Sequence, residues 1–215
     1  MAGAMPVSAK ICGLSTPDTV DAAIRHGAAY LGFVFFPKSP RDIAPERAGG
    51  FGSPAHVGRV GVFVDPEEDL LAYAVRAARL SAVQLHGAET PARVAALRQR
   101  LGVPVWKAVA VRTRADLDAG RAYRGAADRL LYDAKPPPGA DLPGGLGLRF
   151  DWSLLDGFDH PLPWLLSGGL DAASVGDAVG ISGARLLDIS SGVERAPGVK
   201  DVDKIATFLQ ATARL

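Results

Sequence analysis

Short apolar runs recur along the whole chain, separated by Ala-, Leu- and Arg-rich stretches with helical spacing. The runs are VSAKIC (7–12), YLGFVFF (30–36), GRVGVFV (58–64), SAVQLHG (81–87), VPVWKAV (103–109), RLLYDA (129–134), PWLLS (163–167) and ARLLDIS (184–190). Most are near-continuously apolar rather than alternating. That is the pattern of strands covered on both faces, as in a parallel sheet.

The stretches between them carry helix punctuation. TPDTVDAAIRHG opens on a Thr cap with Pro just inside and closes at Gly27. DPEEDLLAYAVRAARL offers an Asp cap and an acidic first turn, which the helix dipole favours. ETPARVAALRQRLG ends at Gly102, and TRADLDAGRAYRG, DAASVGDAVG and DVDKIATFLQATARL supply three more helices. FDWSLLDGF is long enough only for a brief one, and APERAGGFGSPAH, rich in Gly, predicts a short irregular one.

About eight β/α pairs in unbroken alternation predict an α/β fold, a single (β/α)8 TIM barrel with residues 1–215 as one catalytic domain. An open doubly wound sheet is the runner-up, but CGLSTPD follows the first strand where that fold would place a G-x-G-x-x-G fingerprint. KPPPGADLPGGLG (135–147) is the one long loop and reads as part of an active site.

Composition narrows the setting. A net charge of +1 gives no electrostatic reason to expect nucleic acid or an anionic membrane as partner. One cysteine, Cys12, excludes an intrachain disulfide and a cysteine-based metal cluster, which suits a reducing, cytoplasmic compartment. The opening MAGAMPVSAK lacks the pattern of a secretory signal, and no run is long enough to span a membrane.

In a barrel of this kind chemistry gathers where strands end. Cys12 ends the first run; Lys38 and Arg41 follow the second; Asp65 follows the third; Gln84 and His86 end the fourth; Lys107 lies in the fifth. Asp133 ends the sixth, Ser167-Gly168-Gly169 the seventh, and Asp188 with Ser190-Ser191-Gly192 the eighth. The glycines of the last two loops let backbone approach a ligand closely, and N–H groups there, aided by a short helix around 191–194, predict a phosphate cradle. Each residue also has a plain reading: Cys12 as a small core residue, Asp133 as a turn cap, Arg41 as a solvated loop charge. Trp106, Trp152 and Trp164 read as packing between barrel and helices.

With these residues in place, the chain resembles the phosphoribosylanthranilate isomerase family over essentially its whole length. KICG, GFVFFPKSPR, VGVFV, VQLHG, LLYDA, LSGGL, and DISSGVE followed by PGVKD match the family's strand signatures in order. The resemblance implies conversion of N-(5′-phosphoribosyl)anthranilate to 1-(2-carboxyphenylamino)-1-deoxyribulose 5-phosphate, in tryptophan biosynthesis. It implies Cys12 as general base, Asp133 as general acid, and Arg41 on the anthranilate carboxylate. Asp188 lies near the ribose hydroxyls, and His86 joins the substrate-binding group as a rim hydrogen-bonding residue. Gly168, Gly169, Ser190, Ser191 and Gly192 hold the phosphate. One departure stands out: Leu146 replaces the Thr usual in the family's Gly-Gly-Thr-Gly run.

The chemistry explains the choice of groups. Ring opening needs a proton on the furanose oxygen, which a desolvated carboxylic acid delivers. The proton beside the resulting iminium needs a base, and a thiol lowered by nearby positive charge suits it. Arg41 offers the carboxylate two parallel hydrogen bonds, which Lys38 does not. No metal and no cofactor is expected, and the partner is a phosphorylated sugar-anthranilate small molecule met by a monomer, with a dimer open. The alternatives are another phosphate-binding barrel, of the indole-glycerol-phosphate synthase or pentose-phosphate epimerase type, and a non-catalytic binding barrel.

Overall fold

The computed structural model describes residues 6–140 and 142–215. Its eight core strands are β1 (Ser8–Cys12), β2 (Tyr30–Val34), β3 (Gly58–Phe63), β4 (Ala82–Leu85), β5 (Val105–Val111), β6 (Arg129–Ala134), β7 (Trp164–Leu166) and β8 (Leu186–Ile189). They pair in chain order, each parallel to the next, and β8 returns to β1 to close the barrel. The fold class is therefore the (β/α)8 barrel that the alternation predicts.

The helices α1 (Pro17–Arg25), α2 (Pro45–Gly50), α3 (Glu68–Ala77), α4 (Pro91–Leu101), α5 (Arg114–Asp118), α6 (Val175–Ser182) and α7 (Val202–Thr212) lie in the connections. Among the described residues between β6 and β7 the one helical element is a 3-10 turn, Trp152–Leu155, as the brevity of FDWSLLDGF implies. After β8 the chain adds a hairpin that the sequence reading does not contain, β9 (Glu194–Ala196) with β10 (Val199–Lys200). The start of α3 also differs. Its cap is Glu67, while Asp65 sits at φ 44° and accepts a hydrogen bond from the Ala88 N–H instead.

Alternation along each strand decides which side chains face the barrel interior. Ala9 and Ile11 of β1 pack outward in the layer beneath the helices, so Lys10 and Cys12 point inward. A separate apolar floor inside the barrel comprises Val60, Ala82, Trp106, Ala108, Leu131, Leu165 and Leu186. Trp106 therefore packs inside the barrel, not between barrel and helices as its sequence context suggests. Its neighbour Lys107 necessarily faces out, where it pairs with buried Glu89 at 3.1 Å, so it is no rim group.

The Gly-rich α2 survives because Arg59 reaches it from β3. The guanidinium, mostly buried, donates to the carbonyls of Ala48, Phe51 and Ala78, and lies 4.9 Å from the Phe33 ring centroid. It supplies helix-end partners that the short helix lacks on its own. Gly49 is required by close approach, since a Cβ there would meet the Ala77 carbonyl oxygen at 1.9 Å. Arg59→Met should lower the unfolding free energy by about 2–4 kcal/mol, the range for charge-assisted hydrogen bonds lost with their buried carbonyls left unpaired. Urea unfolding checks this, and a loss under about 0.5 kcal/mol, the scale of an ordinary surface change, would contradict it.

Candidate active site

One face of the barrel gathers polar side chains, and the strand ends explain why. Cys12 is the last residue of β1, Asp133 lies at the end of β6, and Asp188 lies late in β8. All three are buried and line one cavity at the C-terminal mouth, together with Arg41, Gln84 and His86. The sulfur and the Asp133 carboxylate thus open into the same space from different strands, as the sequence reading requires.

Asp133 is held at both oxygens. Oδ1 accepts the Ala134 N–H at 2.9 Å, and Oδ2 lies 3.3 Å from His86 Nε2. His86 is oriented in turn by Gln84, whose Nε2 lies 3.2 Å from His86 Nδ1. Gln84 Oε1, buried in the same cavity, has no hydrogen-bond partner among the described residues. His86 therefore stands beside the expected acid as a hydrogen-bonding rim residue.

Cys12 has charged neighbours that the sequence reading passes over. Lys10, wholly buried, pairs with Asp188 Oδ1 at 2.8 Å. Burial opposes its charge, but Asp188 and the thiol outweigh that and leave the Lys10 pKa above its ordinary value. For Cys12 the balance runs the other way. Burial pushes the thiol up, Lys10 and Lys200 pull it down, and Asp188 pushes it up again, so its pKa lies above ordinary. The expectation of a lowered thiol is thus corrected: desolvation wins. The signal for Lys10 was available, since it stands two residues before Cys12 and must share its face.

Arg41 is buried rather than solvated, and one edge of its fork is already used. Its Nε donates to Glu194 Oε1 at 2.7 Å and its Nη2 to Glu194 Oε2 at 2.8 Å. Nη2 also donates to the Gly145 carbonyl at 3.0 Å, which ties the 135–148 loop down over the mouth. The two parallel bonds thus go to Glu194, and Nη1, on the side of Gly145, has no hydrogen-bond partner among the described residues. Lys200, from β10, donates to Glu194 Oε1, the oxygen that Arg41 Nε also binds, and to the Ser190 carbonyl at 3.1 Å. Gly13 fits between these two cations at φ 79°, where a Cβ would lie 2.8 Å from Arg41 Cδ. Glu194 and Lys200 were missed, although SSGVE and PGVKD contain them.

The second cavity adjoins the first and is bounded by the 144–148 loop, Gly168-Gly169 and Asp188–Gly192. Gly168 and Gly169 adopt φ 91° and 66°, the left-handed region where glycine is favoured. Gly192 has a packing reason as well, because a Cβ there would meet the Leu170 carbonyl oxygen at 2.0 Å. Ser191 opens the 3-10 turn Ser191–Val193, and Ser190 Oγ lies 3.2 Å from Lys200 Nζ. All five residues expected to cradle phosphate are therefore brought together. Leu146 lies on the loop beside them, substantially exposed.

A closed parallel barrel with acid, thiol and arginine at its C-terminal mouth is built as a barrel enzyme. A family model described as N-(5'phosphoribosyl)anthranilate (PRA) isomerase matches residues 9–211. N-(5'-phosphoribosyl)anthranilate isomerase of Zymomonas mobilis is 55% identical over 214 residues, covering 98% of this chain and 100% of that protein. The same enzyme of Paramagnetospirillum magneticum is 53% identical, covering 96% and 97%. The crystal structure of phosphoribosyl anthranilate isomerase from Thermotoga maritima matches with a TM-score of 0.87 at 36% identity, covering 97% of this chain and all of that one. A structure of such an isomerase with reduced 1-(o-carboxyphenylamino)-1-deoxyribulose 5-phosphate matches at 0.82 and 34%, with the same coverage. The chain belongs to the N-(5'-phosphoribosyl)anthranilate isomerase family.

Glu194 gives the site a pH signature. Burial raises its pKa, but the Arg41 hydrogen bonds and Lys200 outweigh this and leave the carboxyl below its ordinary value. A carboxylate lowered in the folded state stabilises fully above its unfolded pKa, and that stability is lost as pH falls through the folded value. The wild-type protein should therefore lose stability as pH drops below about 4.5. Glu194→Gln should be less stable at pH 7 by about 1–3 kcal/mol and should lack that acid-limb component. Urea titrations at stepped pH measure both, and parallel curves for the two proteins would contradict the reading.

Proposed function

We propose that this chain is a phosphoribosylanthranilate isomerase of tryptophan biosynthesis, acting as a single catalytic domain in the cytoplasm. It converts N-(5′-phosphoribosyl)anthranilate to 1-(2-carboxyphenylamino)-1-deoxyribulose 5-phosphate. The observation that carries this reading is the joint opening of Cys12 and Asp133 into one cavity, with Arg41 on its rim and the Gly168-to-Gly192 loops alongside. Every group named comes from one chain, so a monomer is sufficient.

In this reading the phosphate lies against Gly168, Gly169 and Ser190–Gly192, and the anthranilate carboxylate meets Arg41 Nη1. Asp133, as the carboxylic acid, gives its proton to the ring oxygen while the C1′–O bond breaks. The amine nitrogen's lone pair then forms a C1′=N iminium. The Cys12 thiolate takes the proton from C2′; that electron pair forms the C1′=C2′ bond and the C1′=N π pair returns to nitrogen, giving an enolamine. The enolamine becomes the ketone by gaining a proton at C1′ and losing the 2′-hydroxyl proton. These steps are proton transfers without change of oxidation state overall. The iminium charge beside the sulfur favours the thiolate just when it is needed, which offsets the burial that raises the thiol. Asp188, which lines the same cavity, is assigned to the ribose hydroxyls, and His86, 3.3 Å from Asp133 Oδ2, to holding the acid.

The assay follows loss of phosphoribosylanthranilate fluorescence by purified protein with EDTA present, and turnover is expected. Cys12→Ser and Asp133→Asn should each lower kcat by on the order of 10²-fold or more. Near-wild-type kcat in either variant removes that residue from its role. Arg41→Ala should act mainly through KM, and a large fall in kcat at unchanged KM would show that it serves the transition state instead.

A further inference from the structure

The proton transfers proposed above leave without a task a buried ionisable side chain that shares the face of Cys12. Lys10 carries its ammonium inside the barrel, fully shielded from solvent, where a lysine is costly unless paired. Its partner Asp188 comes from β8, and the register of the barrel sets residues 10 and 188 directly opposite each other. Gly32 on β2 makes room for it. A Cβ at Gly32 would lie 2.9 Å from Lys10 Cε and 3.1 Å from Cys12 Sγ, so stem and sulfur flank one point. Any side chain at residue 32 would therefore crowd both the Lys10 stem and the Cys12 sulfur.

We propose that Lys10 is a positioning residue for the Cys12 base: its buried ammonium supplies the fixed positive charge that makes a thiolate attainable there, and Asp188 limits that effect. The proposal rests on the isomerase reading only for the use made of the thiolate. The other charged groups around the sulfur are accounted for. Lys200 approaches from β10 and Arg41 from the β2–α2 loop, but Glu194 lies between them and is bound by both. His86 and Asp133 share the cavity from β4 and β6, and are engaged with each other. Lys10 alone stands on the same strand and face as Cys12, with a single counter-charge. Ionisation of the thiol is a plain acid dissociation, S–H giving its proton to solvent. Burial raises its cost, and Lys10 is the largest influence opposing that.

Cys12 is the chain's one cysteine, so alkylation reports on it without ambiguity. Iodoacetamide labelling of the unliganded protein, followed by mass across a pH series, gives the thiol inflection directly. Relative to wild type, Lys10→Met should raise that inflection by about one pH unit or more, a tenfold loss of thiolate at neutral pH. Lys10→Arg should recover most of it, and Asp188→Asn should lower it. Should Lys10→Met not fold with Asp188 left unpaired, Lys10→Met/Asp188→Asn removes both charges, and its inflection should still lie above wild type. The acid limb of kcat/KM should move with the labelling inflection in Lys10→Arg. Inflections unchanged in folded Lys10 variants, or shifted in the opposite direction, would overturn the proposal and leave the pair a structural one. Because labelling needs no substrate, its outcome is separate from that of Cys12→Ser turnover, which tests the base itself.

Discussion

A parallel barrel closes where its last strand meets its first, and in this chain that seam holds a buried ion pair. Lys10 and Asp188 join β1 to β8 at 2.8 Å, above the apolar floor of the barrel. Two charges withdrawn from water cost more than most packed apolar pairs, and removing either one alone would strand the other. The pair therefore constrains register, because a slip of one residue between β1 and β8 would turn one of the charges into the layer beneath the helices. It also sets the electrostatics of the mouth. Cys12 ends the same strand as Lys10, two residues further on and on the same face.

From that seam the site spreads around the rim as a chain of contacts. Asp188 leads to the Ser190–Gly192 loop, and Ser190 is bound by Lys200. Lys200 leads to Glu194, and Glu194 to Arg41, whose Nη2 reaches the Gly145 carbonyl on the loop over the mouth. The hairpin β9–β10 is what makes this possible, since it carries both Glu194 and Lys200. In the proposed reading, one continuous network thus serves both the phosphate and the carboxylate ends of the substrate. Across the cavity a second, shorter set of contacts, Gln84 to His86 to Asp133, holds the acid.

The near-continuous apolar runs were enough to place all eight strands, because a strand buried on both faces has little freedom in composition. Strand ends were also legible, so Cys12, Asp133 and Asp188 fall where the runs stop. What escaped was the direction of side chains within the runs. Lys107 looks like a rim residue in VPVWKAV, yet the alternation that turns Trp106 inward turns Lys107 out toward Glu89. Lys10 was hidden by the same apolar context, and only its spacing from Cys12 betrays it. The Arg41–Glu194 pairing joins residues far apart in the chain, and no local pattern announces such a contact. The thiol's raised pKa escaped for a related reason: it is a balance of burial against several charges, which requires coordinates.

The central claim is that sulfur and carboxylate reach one sugar from opposite directions. The most direct measurement is a crystal structure of this protein with reduced 1-(o-carboxyphenylamino)-1-deoxyribulose 5-phosphate bound. The account places Cys12 Sγ in van der Waals contact with C2′, and Asp133 within hydrogen-bond reach of the oxygen that was in the ring. An analogue seated with its sugar against other residues, or with either side chain turned away from those atoms, would contradict it.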